Sequence, residues 1–234
     1  MLESPDMYPQ GSDIQLYLAS NSPRRRDLLS LIGFEFMRLA MQVDERPLPN
    51  EDGTQYVTRI ASNKAHSASA TQGIRGLIIA ADTVVIGDVG EAGSEIFGKP
   101  RDANEAASML RMLRGRIHQV ITAIQVLSTQ DDTGRLDVCT TDVPMREYSE
   151  AEIDTYIASG DPMDKAGAYA IQHAGFHPVE NLQGCYANVM GLPLCHLTRN
   201  LIQYGVHPRV NVARTCQAAL GYNCPVYPKI LEQS

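Results

Sequence analysis

Leu77 to Ile86, LIIAADTVVI, is apolar at almost every position on both parities. A strand with one wet face alternates polar and apolar residues, so this run predicts a central strand covered on both sides. Such cover takes layers of helix above and below the sheet. The run is also too short to cross a bilayer. The longest apolar stretch, Gly76 to Gly87, is broken by Asp82 and Thr83 and falls short of the ~20 residues that a spanning helix needs.

The rest of the chain supplies those layers. Ile14 to Ala19 reads as a second buried strand. Ser22 and Pro23 follow as a helix cap and first helical residue; Leu28, Leu29 and Ile32 share one face, and Gly33 stands where a C-terminal cap belongs. A second helix is predicted over about 54–71, with the stripe Val57, Ile60, Ala61, Ala65 and Ala68. Asp102 with Glu105, and Ser149 with Glu152, are capping signatures for two more helices, closed by Gly115 and Gly160. Val89 to Ser94 reads as a turn. Val120 to Leu127 and Leu136 to Val143 read as strands joined by a polar turn, hence antiparallel. A last helix is expected over 193–204. Helices interleaved with strands, plus an antiparallel pair, predict an α/β fold with a mixed sheet. Residues 1–13 read as a loose leader, 14–207 as one domain, and 208–234 as an extension with no assigned role.

Composition narrows the function classes. With 20 basic and 27 acidic residues the net charge is −7, which disfavours general nucleic-acid binding. The polar, acidic N-terminus has no apolar core of the kind a secretory signal carries. Five cysteines, without a C-x-x-C pair or zinc-ligand spacing, suit reduced thiols in a reducing compartment. These features together predict a soluble, cytoplasmic globular protein with no membrane partner.

Six places in the sequence are candidates for chemistry. Ser20-Asn21-Ser22-Pro23-Arg24-Arg25-Arg26 lies at a strand-to-helix junction. Free N–H groups there attract anions, whereas the helix dipole disfavours cations in a first turn. Three arginines in that turn therefore point to a phosphate site, with solvated surface charge as the alternative. Lys64 falls on the apolar stripe of its helix and must either snorkel or meet an anion. Asp82 interrupts the central strand, where a carboxylate is costly unless it is paired, hydrogen-bonded or metal-bound. A strand end, a bulge or an ion pair would also explain it. Asp44 and Glu45 form an acidic pair in a loop. Gly93 to Pro100 almost spells a P-loop, but Pro100 has no hydroxyl for a metal ion, and the preceding residues read as no buried strand, so that reading is rejected. Lys99 still has the reach to meet a phosphate. Asp164-Lys165 sits beside the small residues of AGA, a pattern that favours close packing.

Taken in order, LASNSPRRRDLL, VDE, the Lys64 helix, ADTVV, FGKPRDANEAASMLRMLRGRIHQVIT, SGDPMDKAGAYAIQ and NVMGLPL resemble the Maf family of nucleoside triphosphate pyrophosphatases. The likeness runs from about Leu16 to Tyr204. It implies a Maf/Ham1-like mixed sheet flanked by helices, two lobes around a cleft, and a homodimer. It also implies hydrolysis of a nucleoside triphosphate to the monophosphate and pyrophosphate with a divalent cation, Mg²⁺ or Mn²⁺. Asp82 matches the family's acid/base position and a metal position; Glu45 matches another polar site position that would share the metal. Ser22, Arg24, Arg25, Lys64 and Lys99 match phosphate-contacting and other polar site positions. Arg24, Thr83 and Gln172 match positions tied to substrate choice. S-P-R-R with K-A-G-A-Y-x-I-Q resembles the dTTP/UTP subgroup, whereas the 7-methyl-GTP subgroup tends to S-P-Y-R-R and C-A-G-S-F. His173 stands where the family often has glycine.

Overall fold

The computed structural model describes residues 14–88 and 94–232. The leader read over 1–13 and most of the turn read over 89–94 lie outside them. Six strands form one mixed sheet: β1 (Leu16–Ala19), β2 (Phe36–Leu39), β3 (Leu77–Asp88), β4 (Ser94–Phe97), β5 (Ile117–Ser128) and β6 (Gly134–Pro144). The order is β2-β1-β3-β5-β6, with β4 also on β3. β1 is parallel to both β2 and β3, while β4, β5 and β6 run antiparallel to their neighbours. The predicted antiparallel pair is therefore β5 and β6, and the predicted central strand is β3.

One edge of β3 is shared between two partners. β1 pairs with its first part, ending at Ala19 opposite Ala80, and β4 pairs with its last part, from Phe97 opposite Val85. Between them, residues 81–84 have no strand partner on that edge among the described residues. The opposite edge is paired with β5 without a break from Leu77 to Ile86. The sheet thus divides into two lobes along one side while staying continuous along the other. That split makes the cleft.

Helix placement follows the capping signals. α1 (Pro23–Leu31) starts at Ser22, whose Oγ accepts from the Arg25 N–H. α2 (Gly53–Ser69) starts at Asp52 in a capping box with Gln55, which fixes the entry more sharply than the predicted start near Thr54. α3 (Ala103–Leu113) and α4 (Glu150–Ala158) begin at the predicted caps Asp102 and Ser149. A short helix α5 (Tyr186–Val189) leads into α6 (Leu194–Ile202), and two more follow, α7 (Val212–Leu220) and α8 (Tyr227–Leu231). The extension is helical and packed: Val212 and Ala213 are buried, and Cys216, Leu220, Tyr227 and Ile230 lie against the core under α1 and α6. No helix among the described residues is long and apolar enough to cross a membrane.

Side-chain alternation along β3 sorts the core. Ile78, Ala80 and Val84 face α2, in two small clusters with Ala65, Ala68, Val57 and Ala61. Leu77, Ile79 and Ala81 face a large cluster with α1 and α6, whereas Val85 faces a second large cluster with α3 and α4. Asp82 interrupts the first series and Thr83 the second. Each polar residue therefore marks the seam between two apolar bodies.

Candidate active site

The split in the sheet opens a cleft of about 590 Å³, walled by the end of β1, the α1 cap, the middle of β3, the residues after β4, and the segments around 164–169 and 189–191. Ser22, Arg24, Arg25, Glu45, Lys64, Asp82, Thr83 and Lys99 all line it. These are residues from five separate stretches of sequence, and the fold brings them to one place.

On the α2 side the Lys64 Nζ donates to Asp82 Oδ1 and meets Glu45 Oε1, each at 2.7 Å. Lys64 and Asp82 are both largely buried, while the Glu45 side chain is about half exposed. The stripe position of Lys64 is thus explained by two anions rather than by snorkelling. Partial burial pushes the Glu45 carboxyl up, but the Lys64 hydrogen bond and charge, helped by Lys99 and Arg25, hold it below the ordinary carboxylate range. Tyr56 supports this loop, its hydroxyl donating to the Glu45 carbonyl at 2.9 Å. Burial and the Asp82 and Glu45 charges push its phenol up to about 12, so it stays protonated. Asp44 turns away and pairs with Arg46 on the surface.

On the opposite face Arg25 is buried. Its Nε donates to the Gly191 carbonyl at 2.8 Å, and its second terminal nitrogen to Thr83 Oγ1 at 2.9 Å. Burial lowers its pKa, with the nearby Asp82 charge opposing, and a guanidinium remains protonated throughout the physiological range. Thr83 Oγ1 lies 2.9 Å from Thr122 Oγ1, Thr122 donates to the Asn188 carbonyl, and the Asn188 amide donates to Val120 O and Thr141 Oγ1 at 2.9 Å. A polar seam therefore crosses β3, β5 and β6 between the two large apolar clusters. Gly191, with a φ of +105°, lets its chain pass close to this arginine; a Cβ there would lie 3.2 Å from Thr83 Oγ1.

The far wall carries two groups that the sequence reading left to packing. Lys165 is buried and lines the cleft, its Nζ held by the Asp161 carbonyl, Asp161 Oδ1 and Asp164 Oδ1. Tyr169 also lines it, 2.8 Å from the Nε2 of His118. Burial brings His118 down to about 4, so this imidazole is neutral at pH 7.

One sequence reading needs correcting. Arg26, one of the triple-arginine set, leaves the cleft and pairs with Asp27 at the surface. Gln172, which the resemblance ties to substrate choice, is exposed in the turn after Tyr169, outside the residues that line the cleft. β4 runs through residues 94–97, inside the Gly93–Pro100 stretch where a P-loop would be an open phosphate-binding loop, and Pro100 has no hydroxyl, so the P-loop stays excluded. His173 also turns inward, its Nδ1 accepting from the Phe176 N–H and its ring packing on Tyr156, so it adds no bulk to the cleft. Thr122, Asn188 and Gly191 are site-supporting residues that the sequence reading missed. Threonine in a strand is ordinary, and their partners lie 39, 66 and 166 residues away in the chain.

Comparison with known proteins shows the family. The Maf-like protein family model matches residues 15–204. A dTTP/UTP pyrophosphatase of Dehalococcoides mccartyi is 42% identical over 202 residues, covering 86% of this chain and 88% of the relative. One from Chromobacterium violaceum is 44% identical over 200 residues, covering 83% and 96%, and one from Pasteurella multocida is 41% identical over 203 residues, covering 83% and 98%. Among solved structures, a nucleoside-triphosphatase / dITP/XTP pyrophosphatase from Mycobacterium abscessus aligns with a TM-score of 0.41 at 13% identity, covering 82% of this chain and 94% of the other. A family match spanning most of the chain, with relatives this similar along nearly their whole length, makes this chain a member of the Maf family.

Proposed function

We propose that this protein is a nucleoside triphosphate pyrophosphatase acting on dTTP and UTP. The observation that carries the reading is the pairing of Lys64 with both Asp82 and Glu45 in a cleft also lined by Arg24, Arg25 and Lys99. Cations that meet a triphosphate stand beside carboxylates that handle water. The names of the relatives support the choice of dTTP and UTP.

In this reading the triphosphate lies along the α1 cap, where Ser22, Arg24 and Arg25 meet its oxygens together with Lys99. Water attacks the α-phosphorus, the bridging bond to the β-phosphorus breaks, and pyrophosphate leaves. Asp82 orients the water and accepts its proton, while Lys64 holds the carboxylate in place. Arg24 and Lys99 stabilise charge gathering on the leaving group, while Arg25 binds the phosphates alike in the ground and transition states.

The donor set also suits a hard divalent cation, Mg²⁺ or Mn²⁺. No group of three or more His, Cys, Asp or Glu among the described residues forms a complete metal cage. Two carboxylates beside a phosphate site are what a cation carried in on a triphosphate needs, because such ions keep few protein ligands. Glu45 and Asp82 would hold it. When bound, it would neutralise phosphate charge and polarise the attacked phosphorus. A reducing cytoplasm suits the five free cysteines, and the homodimer rests on the family resemblance alone.

A nucleotide panel assayed for pyrophosphate release tests this directly, before and after exhaustive chelation. dTTP and UTP are expected to be the best substrates, 7-methyl-GTP and the purine triphosphates poor, and chelated enzyme inactive until Mg²⁺ or Mn²⁺ is restored. Release of inorganic phosphate with a diphosphate intermediate would overturn the reaction. A higher kcat/KM for 7-methyl-GTP would overturn the substrate.

A further inference from the structure

Of the two helices beyond Tyr204, α7 touches the elements that hold Arg25 from both ends, and α8 packs on α6. α7 packs against α1, which carries Arg25, and against α5, which leads into its acceptor Gly191. Val212 joins the same apolar cluster as Leu28 and Leu29 of α1 and its capping residue Ile32, with Cys216 and Leu220 packed against it. Between α7 and α8, Tyr222 faces the other way. Its hydroxyl lies 3.0 Å from the Leu182 carbonyl and 2.9 Å from the Gly184 carbonyl, and its ring packs on Tyr186, the first residue of α5. The Cys224 N–H donates to Gln217 Oε1, tying the Tyr222 turn back to α7.

We infer that the C-terminal extension braces the active-site wall, and that Tyr222 is a positioning residue for Arg25 acting through the 182–191 segment. α5 is only four residues long, too short to hold itself in place by its own hydrogen bonds. Its register comes from what it packs on. Gly191, at its end, supplies the carbonyl that aims the guanidinium, and a shift of about an ångström there is enough to misplace a phosphate contact. Tyr222 anchors the other end of the same segment. The extension therefore sets how well the cleft is pre-organised for its anionic ligand, while Asp82 and Lys64, on the opposite face of the sheet, stay outside its reach.

The inference rests on the pyrophosphatase reading only for its kinetic readout. In the full-length protein, Tyr222→Ala is expected to raise KM for dTTP about fivefold or more with kcat held within about twofold, the split expected when ground-state and transition-state binding are lost equally. In an Arg25→Lys background the same change is expected to move KM less than about twofold, because residues acting through one contact are not additive. Lys229→Ala, on the exposed side of α8, serves as the surface control. If Tyr222→Ala does not fold, Tyr222→Phe carries the same cycle, with an expected rise of about threefold for one lost hydrogen bond. Amide hydrogen exchange over 186–191, faster in the variant than in the parent, reads the brace without any turnover.

A parent enzyme that releases pyrophosphate from no nucleotide would overturn the functional reading, and exchange would still decide the brace. Unchanged KM with unchanged exchange would overturn the brace alone. So would a KM rise of equal size with and without the Arg25 guanidinium.

Discussion

The two faces of β3 hold their cations in different ways. On the α2 face Lys64 meets two carboxylates, so the trio carries a net negative charge. On the other face Arg25 meets a carbonyl and a hydroxyl, which orient the guanidinium without neutralising it. Adjacent residues of one strand, Asp82 and Thr83, make this difference, because successive side chains leave a strand on opposite sides. The lesson is a division of labour. The α2 face holds carboxylates bound to their own cation, and the opposite face holds a cation whose hydrogen-bond partners are neutral.

The largest effect expected from this contrast is on turnover. Asp82→Asn keeps size and shape, and kcat should fall at least about a hundredfold, the scale of one acid–base contribution. Circular dichroism would check that the variant folds; near-normal turnover in folded protein would remove Asp82 from the chemistry. A smaller and different effect is expected on the other face. Arg25→Lys replaces a planar fork with a point charge that cannot reach both Gly191 O and Thr83 Oγ1, so KM should rise about tenfold with kcat changed far less. Steady-state kinetics on the two variants side by side tests the division. If both variants act on the same parameter, the two faces are not separate.

Gln172 should matter least. It is exposed and stands outside the cleft walls, so Gln172→Ala is expected to change the ratio of kcat/KM for dTTP over dGTP by less than about threefold, since a residue in water contributes little discrimination. A tenfold change would mean that the turn over 171–177 folds onto the nucleotide.

How much was legible beforehand depended on the range of the interactions. Asp82 stood out because a carboxylate inside an apolar strand is a local contradiction, and Lys64 because it broke a helical stripe. Both signals lie within one turn or one strand. The caps Ser22, Asp102 and Ser149 were legible for the same reason. The triple arginine was only half legible: consecutive helical residues point about 100° apart, so one of three adjacent side chains had to leave the site, and the sequence did not say which. Arg26 leaves, because Asp27 is beside it. β4 was hidden by a glycine-flanked stretch that resembled a loop. The extension was illegible because its helices fold only against a surface assembled from α1, α5 and α6.

The divided edge of β3 turns strand length into a ruler. Ala80 is the last residue paired to β1 and Val85 the first paired to β4, a separation of roughly 17 Å at the rise of an extended chain. Lengthening β1 by two residues would zip part of that span shut, and trimming it would widen the gap. Moving Asp82 by a single place along β3 would instead put its carboxylate on the Arg25 face. Insertions and deletions in this lineage therefore meet a parity constraint at the centre of the sheet, and room to vary substrate size lies in the segments that end at the gap.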